Sequence, residues 1–152
     1  MKYLRFIILF IGFIGMVIYL NKTGEEESIR INKALNNNVK FEGYIVGIKQ
    51  SNNHGFGIIR LELTESSTGE FDEKIKDTLK NGIYPYRIKG TQAELYTVIP
   101  AGIDEEDIVK LKSNEKNYHY YNVKTKQNLE GDIWMITNDT DIDFVKENTI
   151  FK

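Results

Sequence analysis

Cysteine is absent from the 152 residues. That excludes disulfides, thiolate chemistry and lipidation at an N-terminal cysteine, while an oxidising compartment remains permitted. Histidine is nearly absent: His54 and His119 are the only two, far apart in sequence, so they meet only if the fold brings them together. No G-x-S-x-G, H-E-x-x-H or Walker loop occurs, so none of the common hydrolase, metalloprotease or nucleotidase constellations is present. Clustered basic residues are missing too. Setting aside Lys2, Arg5 and Lys22 leaves 17 Lys and Arg against 22 Asp and Glu, so the body of the chain is acidic. Such a surface repels a phosphate backbone and an anionic lipid surface, which excludes nucleic acid as a partner. Alanine appears only at positions 34, 93 and 101, whereas isoleucine, lysine and asparagine abound. This is the bias of AT-rich coding DNA, and no function is attached to the asparagine-rich patches.

What the chain does contain begins at its N-terminus. Residues 2–20 read KYLRFIILFIGFIGMVIYL, and from Phe6 to Leu20 no side chain is charged or strongly polar. Tyr3, Leu4 and Arg5 extend the apolar stretch to about eighteen residues, because an arginine at the end of a span snorkels to the headgroups. No A-x-A-like pair precedes a cleavage point, so the first expectation is an uncleaved signal anchor over residues 1–22, ahead of a cleaved signal peptide. The short N-terminal tail places the body outside, in the periplasm or at the cell surface. Gly12 and Gly15 are three apart, not the four of GxxxG, and are read as ordinary helix glycines.

Residues 23–38 are expected to be a polar stalk with a short helix. Glu25, Glu26 and Glu27 stand at its start and Lys33 near its end, in the sense of the helix dipole. Ile31, Ala34 and Leu35 share one face, and Asn36 to Asn38 stop it.

From residue 39 to 152 the pattern is strand. VKFEGYIVGIKQ (39–50) is β-branched and aromatic, with Gly43 and Gly47 where a bulge or close packing would fall. GIIRLELT (57–64) alternates with period two. Further strands are expected at 83–89, 93–99, 107–112, 118–124, 132–137 and 143–151. Pro85 marks the first of these as an edge. A short helix is expected within 65–82, where Phe71, Ile75 and Leu79 recur at four-residue spacing. The fold class is therefore mainly β: an antiparallel small barrel or sandwich of about six to seven strands with one inserted helix, preceded by a transmembrane helix.

Four stretches are candidates for chemistry. SNNHGFG (51–57) carries His54 and a G-x-G. A strand follows it where phosphate binding needs a helix N-terminus, so the loop reads as a hairpin, with Asn52, Asn53 and Gly55 supplying positive φ. His54 remains a ligand-contacting or pH-sensing candidate at the loop tip. In NYHYYNV (117–123), Tyr118 and Tyr120 point one way and His119 and Tyr121 the other. Either pair could stack on sugar rings or bases or anchor a protein, against the plainer reading of core filling. Trp134 is read first as core, and as a third member of an aromatic face in the binding alternative. Asp139, Asp141 and Asp143 have the spacing that begins a calcium loop, but Phe144 stands where its glycine belongs and Ile150 where its glutamate belongs. Residues 104–107, Asp-Glu-Glu-Asp, are a fourth cluster, read as a solvated turn.

No cofactor is implied. The layout resembles that of the many short, single-anchor, β-rich bacterial envelope proteins, and transfers no site residue. The expectation is a non-enzymatic domain, held to the membrane through residues 3–20, that binds another envelope protein. The alternative is a small-ligand or carbohydrate domain using Tyr118, Tyr120 and Trp134. A hydrolase built on His54 or His119 with residues 104–107 ranks last.

Overall fold

A computed structural model describes residues 2–72 and 82–151, with the side chains of 2–8, 27, 28 and 30–32 left aside. Helix α1 (Lys2–Leu35) is followed by β1 (Lys40–Gln50), β2 (Phe56–Ser66), β3 (Glu70–Phe71), β4 (Tyr86–Lys89), β5 (Gln92–Val98), β6 (Ile108–Lys112), β7 (Asn117–Asn122), β8 (Gln127–Asp132) and α2 (Asp139–Asn148). The protein is mainly β. All eight strands join one antiparallel sheet in the order β3-β4-β5-β2-β1-β6-β7-β8. That order is open, ending at β3 and β8, in place of the closed barrel or two-sheet sandwich of six or seven strands expected from the pattern.

The β1–β2 hairpin is the spine of this sheet, as alternation across 39–64 implies. Its register shifts twice, between Glu42 and Gly43 and between Ile45 and Gly47. A side chain at Gly43 would run into the Glu62 carbonyl, so the glycine is there for close approach of backbone. The shifts let β1 bend and the sheet curl. The curl is deep enough to bring the Tyr118 hydroxyl on β7 close to Thr97 on β5, across three intervening strands. After β8 the chain crosses over, and Ile136 makes an isolated antiparallel bridge with Ile83, ahead of β4.

Inside the curl lies the main core: Phe41, Ile45, Ile59, Leu61, Tyr86, Ile88, Leu95, Val109, Leu111, Tyr118 and Tyr120, roofed by Ile133 and Met135. Each such side chain removed from water contributes about 1.5–3 kcal/mol. A second cluster lies outside β2 and β5, where α2 packs Ile142 and Val145 over Phe56, Ile58 and Tyr96.

Several expected elements differ. The anchor and stalk are one continuous helix, with no break at residue 22. Leu35 is buried in the core and Ala34 packs beside it, and the helix ends there, with Asn38 at φ 60°. Among the described residues no helix is long and apolar enough to cross a membrane. The described side chains begin at Leu9, so Tyr3 to Ile8 of the expected span lie outside that statement. Of the helix expected within 65–82, Ser66 still belongs to β2 and Phe71 to β3, while Ile75 and Leu79 lie outside the described residues. β4 is not an edge: β3 pairs with it through Glu70–Lys89 and Phe71–Ile88, and Pro85 simply precedes it. The strand expected at 132–137 ends at Asp132, having begun at Gln127.

The segment 143–151 is helix and tail, not strand. Asn138 caps α2 by accepting from the Asp141 N–H at 3.2 Å, and Asp139 and Asp141 sit in the first turn, where the dipole favours them.

Candidate interaction surface

The loop SNNHGFG is a hairpin connection. The Ser51 N–H donates to the Phe56 carbonyl at 2.7 Å and the Phe56 N–H to that of Asn53 at 2.9 Å. Positive φ falls on His54 (47°) and Gly55 (75°), not on the two asparagines. Asn53 turns outward instead, and its Nδ2 donates to Asp141 Oδ1 at 2.8 Å, latching the turn to α2. His54 is exposed at the tip. It does not approach His119: Lys110 links His119 to Glu42 by register, and from Glu42 to Gln50 the strand runs on the order of 25 Å.

On β7 the alternation holds, with a clear division of roles. Tyr118 and Tyr120 are buried, at 2% and 4% exposure, and burial raises the pKa of both hydroxyls. The Tyr118 ring lies on Gly131 of β8, where a Cβ would sit 2.6 Å from it. These two rings therefore have no free face for a sugar or base. Trp134 is 45% exposed, a correction to its reading as core, and it forms no joint aromatic surface with the buried pair.

The acidic candidates separate as well. Asp139 and Asp143 lie along one side of α2 and Asp141 on the other, Asp141 bonded to Asn53 and Asp143 to Lys146 at 2.8 Å. Among the described residues no group of three acidic or histidine side chains is placed to hold a metal ion. In residues 104–107 the solvated turn applies to three of four. Asp107 is 1% exposed and accepts from Asn122 Nδ2 (3.1 Å), Val123 N–H (2.9 Å) and Asp104 N–H (3.0 Å), tying the β6 entry to the end of β7.

Sequence reasoning missed a buried polar network on β5. Glu94 is fully buried beneath the C-terminal tail. Its Oε2 accepts from the Tyr96 hydroxyl (2.8 Å) and the Thr149 hydroxyl (2.6 Å), and its Oε1 from the Ile150 N–H (2.9 Å). Arg60 Nε stands 3.8 Å from Oε1. Both carboxylate oxygens are occupied from within the chain, so this is a staple for residues 149–151. Burial, then the charge of Glu94, pushes the Tyr96 hydroxyl far above its ordinary value of 10.0. The sign follows by linkage. Folding holds the proton that the unfolded chain releases near pH 10, so this contribution is complete below that pH and is lost as pH rises beyond it. We expect Tyr96→Phe to remove up to about 1.4 kcal/mol per pH unit from the fall in stability above pH 10, read as denaturant midpoints across pH 9–11. An unchanged slope would mean that Tyr96 titrates normally.

One side of the sheet stays open among the described residues. α2 covers the outer side of β2 and β5, whereas no described residue covers the outer side of β1, β6 and β7. The register places Tyr44 beside Ile108 and Ile108 beside Tyr121. Tyr44 (42%), Val46 (47%), Ile108 (38%) and Val123 (43%) are exposed and Tyr121 half-buried. The next row reads Glu42, Lys110, His119, Glu130, with Lys110 Nζ 2.6 Å from Glu42 Oε2 and His119 Nδ1 3.7 Å from Glu130 Oε2. An apolar row bordered by a Lys110–Glu42 ion pair and a His119–Glu130 contact has the anatomy of a protein interface.

No family assignment accompanies this surface. Neither a protein-family model, a curated protein nor a solved structure matches the chain.

Proposed function

We propose that the protein is a single-pass, membrane-anchored, extracytoplasmic β-domain of a bacterial envelope, and that it acts by binding another envelope protein through the outer side of β1, β6 and β7. The observation that carries the binding reading is the row Tyr44–Ile108–Tyr121, apolar, rigidly mounted on three paired strands, and uncovered by any described residue. Tyrosine and large aliphatic side chains anchor interfaces because they bring area at little entropic cost.

The anchor reading rests on α1. Every large apolar residue described between Leu9 and Leu20 is at least 40% exposed, so the helix needs an apolar surrounding that the β-domain does not provide. Leu9 to Leu20 alone rises about 18 Å, and the sequence from Tyr3 to Ile8 is needed to approach a 30 Å hydrocarbon core. The polar half of α1 then carries the β-domain clear of the headgroups.

The test uses the full chain, tagged and cross-linked in cells. Recovery of one reproducible partner is expected, and Tyr44→Glu with Ile108→Glu should reduce its capture at least tenfold while the melting temperature stays within a few degrees. Repeated recovery of the protein without a partner, or capture indifferent to both substitutions, overturns the reading.

A further inference from the structure

Among the described residues β8 is the long open edge of the sheet, with β7 its single strand neighbour, and β3 at the opposite edge is two residues long. The Ile133 N–H donates to the Lys116 carbonyl at 2.9 Å, which fixes the phase of the ladder. Gln127, Leu129 and Gly131 turn their backbone groups towards β7, so Asn128, Glu130 and Asp132 turn theirs outwards. These N–H and C=O groups have no strand partner among the described residues.

Charges on a free edge ordinarily block pairing. Here their signs are segregated along the strand: Lys124 and Lys126 precede it, and Glu130 and Asp132 end it. Lys126 and Asp132 are both exposed. Edge charges of one sign would repel a second copy, whereas opposite signs at the two ends attract one laid antiparallel.

We propose that β8 pairs with β8 of a second copy of this chain, antiparallel and centred on Leu129. In that register Lys126 faces Asp132 of the second copy, Asn128 faces Glu130, and no two like charges are opposed. The outward-facing groups of Asn128 and Glu130 meet in hydrogen-bonded pairs, giving about four new backbone bonds. Leu129, 41% exposed in the single chain, meets its own counterpart as a non-hydrogen-bonded pair, where Cα atoms approach to about 4.5 Å. The two eight-stranded sheets become one. This dimer goes beyond the proposed partner binding and uses a different surface, so both can be occupied at once.

The chain has no cysteine, so single cysteines report this register in the full-length protein in membranes. Under mild oxidation Leu129→Cys should form a disulfide dimer at least tenfold faster than Gln127→Cys. The latter lies on the same side of the strand, but is separated from its own counterpart by about 13 Å. Lys126→Asp in the Leu129→Cys chain should slow cross-linking about tenfold, and adding Asp132→Lys should restore it. Rescue by the second charge change excludes misfolding as the cause of the first loss. Cross-linking that is equal at 127 and 129, strongest at another position, or not rescued overturns the proposal. Tyr44→Glu with Ile108→Glu should leave it unchanged, which separates the dimer from partner binding.

Discussion

Replacing Glu94 by alanine should destabilise the domain by about 3 kcal/mol. That is the lower end of the range for breaking a buried charge network, because Arg60 keeps a third of its side chain in water. The carboxylate is fully buried and accepts from three groups, the Tyr96 and Thr149 hydroxyls and the Ile150 N–H, with the Arg60 Nε 3.8 Å away as a charge neighbour. Alanine leaves all three donors without their acceptor and Arg60 without its counter-charge, and each orphaned buried donor costs its desolvation. Thr149→Val removes one of these bonds together with the Phe151 N–H donation to Thr149 Oγ1 at 3.1 Å, so it should cost about 2 kcal/mol, still short of the loss at Glu94. The loss should also be local first. Residues 149–151 are held by Glu94 and by Arg87, whose Nη1 donates to the Phe151 carbonyl at 2.8 Å while its guanidinium lies 5.5 Å from the Phe151 ring. Amide exchange in that tail should accelerate before α2 or the sheet responds. The measurement is urea unfolding of the full chain followed by circular dichroism. A loss of less than 1 kcal/mol would mean that the tail is held by apolar packing and Arg87 alone.

Why this network was invisible in the sequence is a matter of which side of a strand is covered. Glu94 and Tyr96 share a face of AELYTV, and alternation alone reads that face as solvent, with Ala93, Leu95 and Thr97 inside. What buries it is α2 and the tail, whose sequence DFVKENTIF looks locally like a strand. The correcting signal was present: Asn138 three residues before Asp141 is the spacing of a helix cap, followed by Ile142 and Val145 on one face. The same aspartates are also spaced like the start of a calcium loop, and that spacing does not distinguish a helix N-terminus from a cation site.

The hairpins were legible because their alternation is strict and their turns carry glycine or asparagine. β1 shows the limit of that method. FEGYIVGI is apolar on both sides, so nothing local says that Phe41 and Ile45 go inside while Tyr44 and Val46 stay out. The side that the sheet curls around decides it, and that is set by pairing with β2 and β6 and not within β1. The proposed interaction surface was hidden for the same reason, its members being indistinguishable in sequence from core. Trp134 was hidden too, because IWMI alternates like a strand but lies in the crossover beyond β8, where only Ile133, Met135 and Ile136 turn inward.

Gly57→Ala should cost about 2–3 kcal/mol, and more than Gly55→Ala, which reverses the usual weighting of glycines in a turn. Gly55 sits at φ 75°, where a Cβ adds about 1–2 kcal/mol of backbone strain. Gly57 lies within β2, opposite Gln50 on one side and Thr97 on the other. A Cβ there would press on the Lys49 carbonyl oxygen and come within 2.8 Å of Ile99 Cγ1. The carbonyl belongs to the backbone of a central strand and cannot rotate away, so the methyl forces a shift of the hairpin itself, the cost of overpacking. Gly57→Val should therefore abolish folding, while Gly55→Ala remains folded with a lower midpoint. Thermal unfolding of the three variants by circular dichroism orders them. The G-x-G is then accounted for by two separate needs of one hairpin, a left-handed residue at the turn and a bare backbone beside Lys49. A Gly57→Ala protein as stable as its parent would remove the second need, and the glycine would have to be explained by something that docks against it.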